Sequence, residues 1–261
     1  MPDPDQRMKY ETYIPCDTLK PFIKALAISE SQQESTYKVL PDTGLVIGFQ
    51  YAGRLAHIDG LTEVTLATSG ITGLQDTFRI FKNSPATGSV LVFFHEAGAA
   101  AFFRQPIHEL FKESISLDNF MLRSELLVLE ERLCAARKDQ ERIAVVEQFL
   151  IARMQDILPD QLVLTALSLI HQSRGNIRIK TLAAQLHISQ SPLEKRFRKV
   201  VGTSPKKFTS IVRLKYLLQH HDPESSLTSL GYEAGFYDQA HFIKEFRHFT
   251  GETPQEFFKG L

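Results

Sequence analysis

Between residues 193 and 257 the chain states one pattern twice at a fixed offset of 49. Phe197, Arg198, Gly202, Pro205 and Phe208 are matched by Phe246, Arg247, Gly251, Pro254 and Phe257, and Leu193 is matched by Phe242. In each copy an apolar residue precedes the Phe by four positions, so both face one side of a helix. A Gly then ends that helix in the left-handed position that suits it, and a Pro opens the next. A duplicated helical unit of this kind rules out a single β-fold for the carboxy-terminal hundred residues and sets two similar helical bodies side by side.

Each copy reads as helix-turn-helix. In the first, Leu182-Ala183-Ala184-Gln185-Leu186 forms a short amphipathic helix, with Ala183 small enough for close crossing. His187-Ile188 makes the turn around a buried Ile188, Ser189 stands as N-cap, and Pro192 falls in the first turn of the next helix. With Leu193 and Phe197 inward, Ser191, Glu194, Lys195 and Arg198 share the outer face. Such a face fits a major groove: Lys195 can donate to guanine, Ser191 to several base edges, and Glu194 can accept from cytosine. Arg198, Lys199, Lys206 and Lys207 are placed for phosphate, which sets register rather than sequence.

In the second copy Leu230-Gly231 repeats the close crossing, and Gly235-Phe236 forms a turn one residue longer. Asp238 caps the following helix, where Phe242, Phe246 and Phe249 point inward. Gln239, Ala240, Ile243, Lys244 and Arg247 lie outward: Gln239 suits adenine, Ala240 and Ile243 a thymine methyl, and Arg247 phosphate. The competing reading of Ile243 is packing on a neighbouring helix. Pro205 to Gln219 reads as one helix between the copies, a rod of roughly 22 Å at ~1.5 Å per residue. That length places two recognition helices about one duplex turn, ~34 Å, apart.

Charge supports the division. The formal net charge is +0, but residues 159–261 hold 14 Lys/Arg against 9 Asp/Glu, and the rest holds 16 against 21. A basic module joined to an acidic one is expected where one half meets phosphate. Length suggests two domains, read as 1–157 and 160–261 around a stop at Leu158-Pro159-Asp160.

The first domain reads as β-rich to about Gln105, with strands expected at 44–51, 63–68, 78–82 and 89–94, spaced as in a barrel or sandwich. The period then changes. Leu122, Leu126, Leu129 and Leu133 step by four, three and four along one helical stripe, and a second helix capped by Asp139 carries Ile143, Val146 and Leu150. The stripe has two readings, a helical hairpin packed on its own sheet or a dimerisation seam that would make the chain a homodimer. Gln161 to Gln172 is a further helix, packed under the repeat.

Residues 161–261 resemble the DNA-binding domain of the AraC/XylS family of bacterial transcription regulators. The resemblance is carried above all by Gly235-Phe236-Tyr237-Asp238-Gln239-Ala240-His241-Phe242-Ile243-Lys244-Glu245-Phe246-Arg247-His248-Phe249-Thr250-Gly251-Glu252-Thr253-Pro254. It implies a seven-helix, all-α domain with two helix-turn-helix units and a linking helix, on which Arg213 bonds backbone or phosphate. Promoter DNA and RNA polymerase are the implied partners; the cytoplasm is the compartment expected from two cysteines, Cys16 and Cys134, that give no disulfide framework. Gly231 stands where the family more often has Ala, and His187-Ile188 replaces Gly-aromatic in the first turn. Leu40-Pro41-Asp42 and Phe93-Phe94-His95-Glu96-Ala97-Gly98-Ala99 are similar to a small cupin-like β-barrel often joined to such domains, although Ala97-Gly98 stands where Pro-Gly is common. That likeness implies a domain that senses a small molecule or mediates dimerisation, and names no ligand.

Enzyme chemistry has little to stand on. Nucleophile elbow, P-loop and dinucleotide fingerprint are absent. His57, His95, Glu96 and His108 lack the spacing of a cupin metal site, so no metal and no cofactor is expected. Two distant cysteines, Cys16 and Cys134, cannot form the zinc cluster of a DNA-repair methyltransferase. A metal- or sugar-modifying barrel tethered to DNA is the alternative reading. No apolar stretch spans a bilayer, and the start lacks the apolar run of a signal peptide.

Overall fold

The computed structural model describes residues 8–221, 231, 235–236 and 238–259. Among the described residues ten strands form two antiparallel sheets. The larger contains, in spatial order, β1 (Met8–Tyr13), β2 (Ile23–Ser31), β9 (Thr87–Phe94), β4 (Val46–Ala52), β7 (Ser69–Thr72) and β10 (Ser114–Ser116). The smaller runs β3 (Ser35–Val39), β8 (Arg79–Asn83), β5 (Leu55–Asp59), β6 (Thr62–Thr65). A cavity of about 330 Å3 lies between the sheets, walled by Val46, Gly48 and Leu91 on one side and Tyr37, Leu55 and Phe81 on the other.

The expected strands are present within a few residues. β2 was not expected, and its composition explains why. Leu26, Ala27 and Ile28 are consecutive and all buried, because helices cover the face of the large sheet that the cavity does not use. A strand covered on both faces loses the alternation by which a half-exposed strand is recognised.

Those covering helices are α1 (Arg123–Ala135) and α2 (Asp139–Ile151). Leu126, Leu129 and Leu133 are essentially inaccessible inside the same core as Ile47 and Phe49, and Phe149 of α2 meets Phe49 edge-on at 5.8 Å. The hairpin reading therefore holds, and the dimer-seam reading of this stripe is corrected: three of its leucines are consumed by the monomer's own core. The fourth, Leu122, lies one residue before the helix and is 68% exposed. The cap of α2 is also shifted by one. Asp139 is the first helical residue, and the Glu141 carboxylate accepts from the backbone N–H of Arg137 and Lys138 at 2.9 and 3.2 Å.

The further helices among the described residues are α3 (Gln161–Gln172), α4 (Ile179–Gln185), α5 (Gln190–Val201), α6 (Pro205–Gln219), α7 (Gln239–Thr250) and α8 (Pro254–Lys259). Asp160 caps α3, accepting from Val163 N–H at 3.2 Å, and receives two bonds from Arg196 of α5 at 2.9 and 2.7 Å. Apolar burial divides unevenly. Leu182, Leu193, Phe197 and Phe208 belong to a core continuous with the sheets, whereas Ile211, Leu214, Leu217, Phe236, Phe242, Phe246 and Phe249 form a separate one. The first helical unit is fused to the β-domain, and the second keeps its own core.

Candidate nucleic-acid interface

The two units repeat each other where both are described. Gly202 and Gly251 end α5 and α7 with φ of 99° and 85°, and their N–H groups bond the carbonyls of Arg198 and Arg247. Both glycines are required for a further reason. A Cβ on Gly202 would lie 3.0 Å from the Ile107 side chain, and one on Gly251 2.6 Å from the Phe78 ring, so the β-domain packs against both helix ends.

The turns differ as the sequence does. Gly235 adopts φ 73°, and in the first unit His187 takes the equivalent left-handed conformation at φ 53°. An L side chain is disfavoured there. The first turn therefore carries strain that the second avoids. Ser189 occupies the N-cap position with extended backbone, but its hydroxyl makes no capping bond. Asp238 does cap α7, accepting from His241 N–H at 2.7 Å. Leu230, expected in the first helix of the second unit, lies outside the described residues. Gly231 is buried where a Cβ would stand 3.3 Å from the Phe242 ring, as close crossing requires.

On α5 the outward set is exposed as expected at Ser191, Lys195, Arg198 and Lys199, with Glu194 half-buried. Glu194 accepts from Arg198 at 2.9 Å, so the two charges largely neutralise each other on that face. On α7, Gln239, Ala240, Lys244 and Arg247 are exposed. Ile243 is half-buried against the second core, which favours the packing reading over a thymine contact.

Two expected phosphate contacts are placed otherwise. Arg213 is corrected: its side chain is only 17% exposed, its guanidinium sits 4.3 Å from the Phe236 ring centre, and it pairs with Glu245 of α7 at 3.3 Å. It is a strut between α6 and α7. Lys207 is exposed like its neighbour Lys206, but its ammonium turns to the β-domain, where it bonds the Asp76 carboxylate.

Sequence reasoning missed the residues that hold the helical domain to the sheets. Asp76, Asp42 and Glu96 bond Lys207, Lys215 and His171 respectively. Burial pushes each carboxyl up, but the bonds it accepts outweigh that, so all three lie below ordinary values, Glu96 at about 2. Spans of 75 to 173 residues separate these partners, and no local pattern marks them.

The residues weighed for a metal do not converge. Glu96 is engaged by Thr43 and His171, and among the described residues no three His, Cys, Asp or Glu side chains form a metal-holding group. Among the described residues no helix is long and apolar enough to cross a membrane.

Both parts of the chain match known families in sequence. Residues 182–260 match a family described as a helix-turn-helix domain, and residues 11–116 match one described as a domain of unknown function, DUF6597. The Msm operon regulatory protein of Streptococcus mutans is 27% identical over 159 residues, 59% of this chain and 56% of that protein. An uncharacterized HTH-type transcriptional regulator of Haemophilus influenzae is 25% identical over 120 residues, 45% of this chain and 39% of that protein. The chain thus spans about half the length, or less, of these curated relatives. Among solved structures, ToxT from Vibrio cholerae is 14% identical with a TM-score of 0.45, covering 98% of this chain and 99% of that one. By the match over residues 182–260 the carboxy-terminal part of this chain is a helix-turn-helix domain, carried behind a β-rich domain.

Proposed function

We propose that the chain is a sequence-specific DNA-binding transcription regulator without enzymatic activity, acting in the cytoplasm on promoter DNA and, through it, on RNA polymerase. The carrying observation is the pair of exposed polar faces on α5 and α7, each at the same place in a repeated unit. Ser191 and Lys195 on one, and Gln239, Ala240 and Lys244 on the other, are the base-reading set. Glu194 joins them once its bond to Arg198 opens, leaving Arg198 for phosphate beside Lys199, Lys206 and Arg247. The parts divide at 158–160, and α6 holds the two readers apart. The largely apolar cavity between the sheets is the place for a small effector, which makes DNA binding ligand-responsive.

The test is selection of bound sequences from a random DNA pool by the purified chain, followed by variants on the selected duplex. Lys195→Ala and Lys244→Ala should each lose ~1–3 kcal/mol on the selected sequence and little on random DNA, the loss of one good base contact. Lys206→Ala should weaken binding to every sequence alike and flatten its salt dependence. Equal losses on all sequences for the first pair would remove the base-reading assignment.

A further inference from the structure

One short segment of the β-domain touches both helix-turn-helix units and the cavity together. Residues 73–78 link β7 to β8, crossing from the large sheet to the small one. Gln75 and Arg79 line the cavity. The three residues between them face the helical domain instead.

Asp76 is 8% exposed and gathers two ammonium groups and an imidazole. Lys207, in the first turn of α6 just past the first unit, bonds one carboxylate oxygen. Lys112 lies 2.6 Å from the other, and His248 of α7 lies 3.7 Å from it. The Thr77 hydroxyl donates to the His248 carbonyl at 2.6 Å. Phe78 packs under Gly251 at the end of α7, and its ring faces the Lys38 ammonium at 5.3 Å while Lys38 pairs with Glu252. Three consecutive residues therefore hold the end of one unit and the recognition helix of the other.

The same segment connects back to the cavity wall. Arg79 donates to Ser114 Oγ at 2.7 Å and to the carbonyl of Lys112, whose ammonium meets Asp76. A change in the position of Arg79 reaches Asp76 through one intervening residue, Lys112.

We propose that Asp76, Thr77 and Phe78 form a positioning clasp that sets the relative placement of the two recognition helices. The clasp matters because two readers on one chain gain from each other only when their separation matches the duplex. A second effect follows from the same contacts. Lys207 reaches phosphate only when Asp76 releases it. This inference rests on the DNA-reading proposal for its purpose, but its geometry can be tested without DNA.

In the full chain, with Cys16→Ser and Cys134→Ser, nitroxide labels on Lys199→Cys and Lys244→Cys report the distance between α5 and α7. The parent should give one narrow distribution. Asp76→Asn keeps the shape of the side chain but leaves Lys112 and Lys207 without their anion, and the distribution should broaden or split. Thr77→Val, which removes only the bond to His248, should broaden it less. Asp118→Asn, at an exposed ion pair away from the clasp, should leave it unchanged. A cooperative melt and parental helical signal confirm that each variant is folded. Narrow, parent-like distributions in folded Asp76→Asn and Thr77→Val would overturn the clasp.

On DNA selected by the parent, one base pair inserted between the two half-sites should cost the parent about tenfold in affinity and Asp76→Asn less than about threefold, because a released pair of readers adapts to the spacing. The same loss in both would count against the clasp. If the parent selects no sequence, the DNA-reading proposal fails while the distance measurement still decides the clasp.

Discussion

Single residues explain where the two copies diverge. His187 holds a left-handed backbone at φ 53° where the second unit places Gly235. That conformation costs an L residue roughly 1–2 kcal/mol, and a Gly returns part of the gain through its greater freedom when unfolded. His187→Gly should therefore raise stability by about 0.5–1 kcal/mol in chemical unfolding, and His187→Val should lower it by more than ~1 kcal/mol, since a β-branched residue tolerates this region worst. A destabilised Gly variant would show that the imidazole makes a contact worth more than the strain. The turn itself was legible from the pattern around His187-Ile188, as was the left-handed role of Gly202. The strut made by Arg213 was not: its position in a linking helix says nothing about an aromatic ring and a carboxylate that arrive from α7.

At the scale of elements, helices with a period were readable, as were apolar strands bounded by turn residues, but β2 was not. α3 and α6 begin and end where apolar spacing and their opening residues place them, from Gln161 to Gln172 and from Pro205 to Gln219. β2 was hidden because both of its faces are covered. The stripe on α1 shows the limit of periodicity: it says that one face is buried and leaves open what buries it. Burial of Leu126 and Leu129 against the chain's own sheet fixes the answer, and gives a separable expectation. Leu126→Ala should cost about 2–5 kcal/mol of unfolding free energy, the usual toll of a vacated core site, with no change in molecular mass by light scattering at fixed concentration. A loss of mass with unchanged stability would restore the seam.

The whole molecule is held together by contacts that sequence order conceals. The first helix-turn-helix unit shares its core with the sheets, and Asp42, Asp76 and Glu96 add anionic bonds across the same boundary. Each carboxyl has a folded pKa below its unfolded value of 3.8 or 4.5. Their contribution is therefore complete above those unfolded values and disappears as pH falls through the folded ones, the one for Glu96 lying at about 2. Acid titration followed by small-angle scattering should show the radius of gyration constant down to about pH 4.5 and rising below it, before the helical signal is lost. Expansion complete above pH 5 would mean that these carboxylates do not hold the domains.

The central claim is that one chain carries two DNA readers fixed at the spacing of a duplex turn. Hydroxyl-radical cleavage of the selected duplex, with the protein bound at a stoichiometry of one, measures this directly. Two protected patches on one face of the DNA, about ten base pairs apart, are the expected result, with the distal patch weakened in Lys244→Ala and the proximal one in Lys195→Ala. A single protected patch, lost to the same extent in either variant, would contradict it.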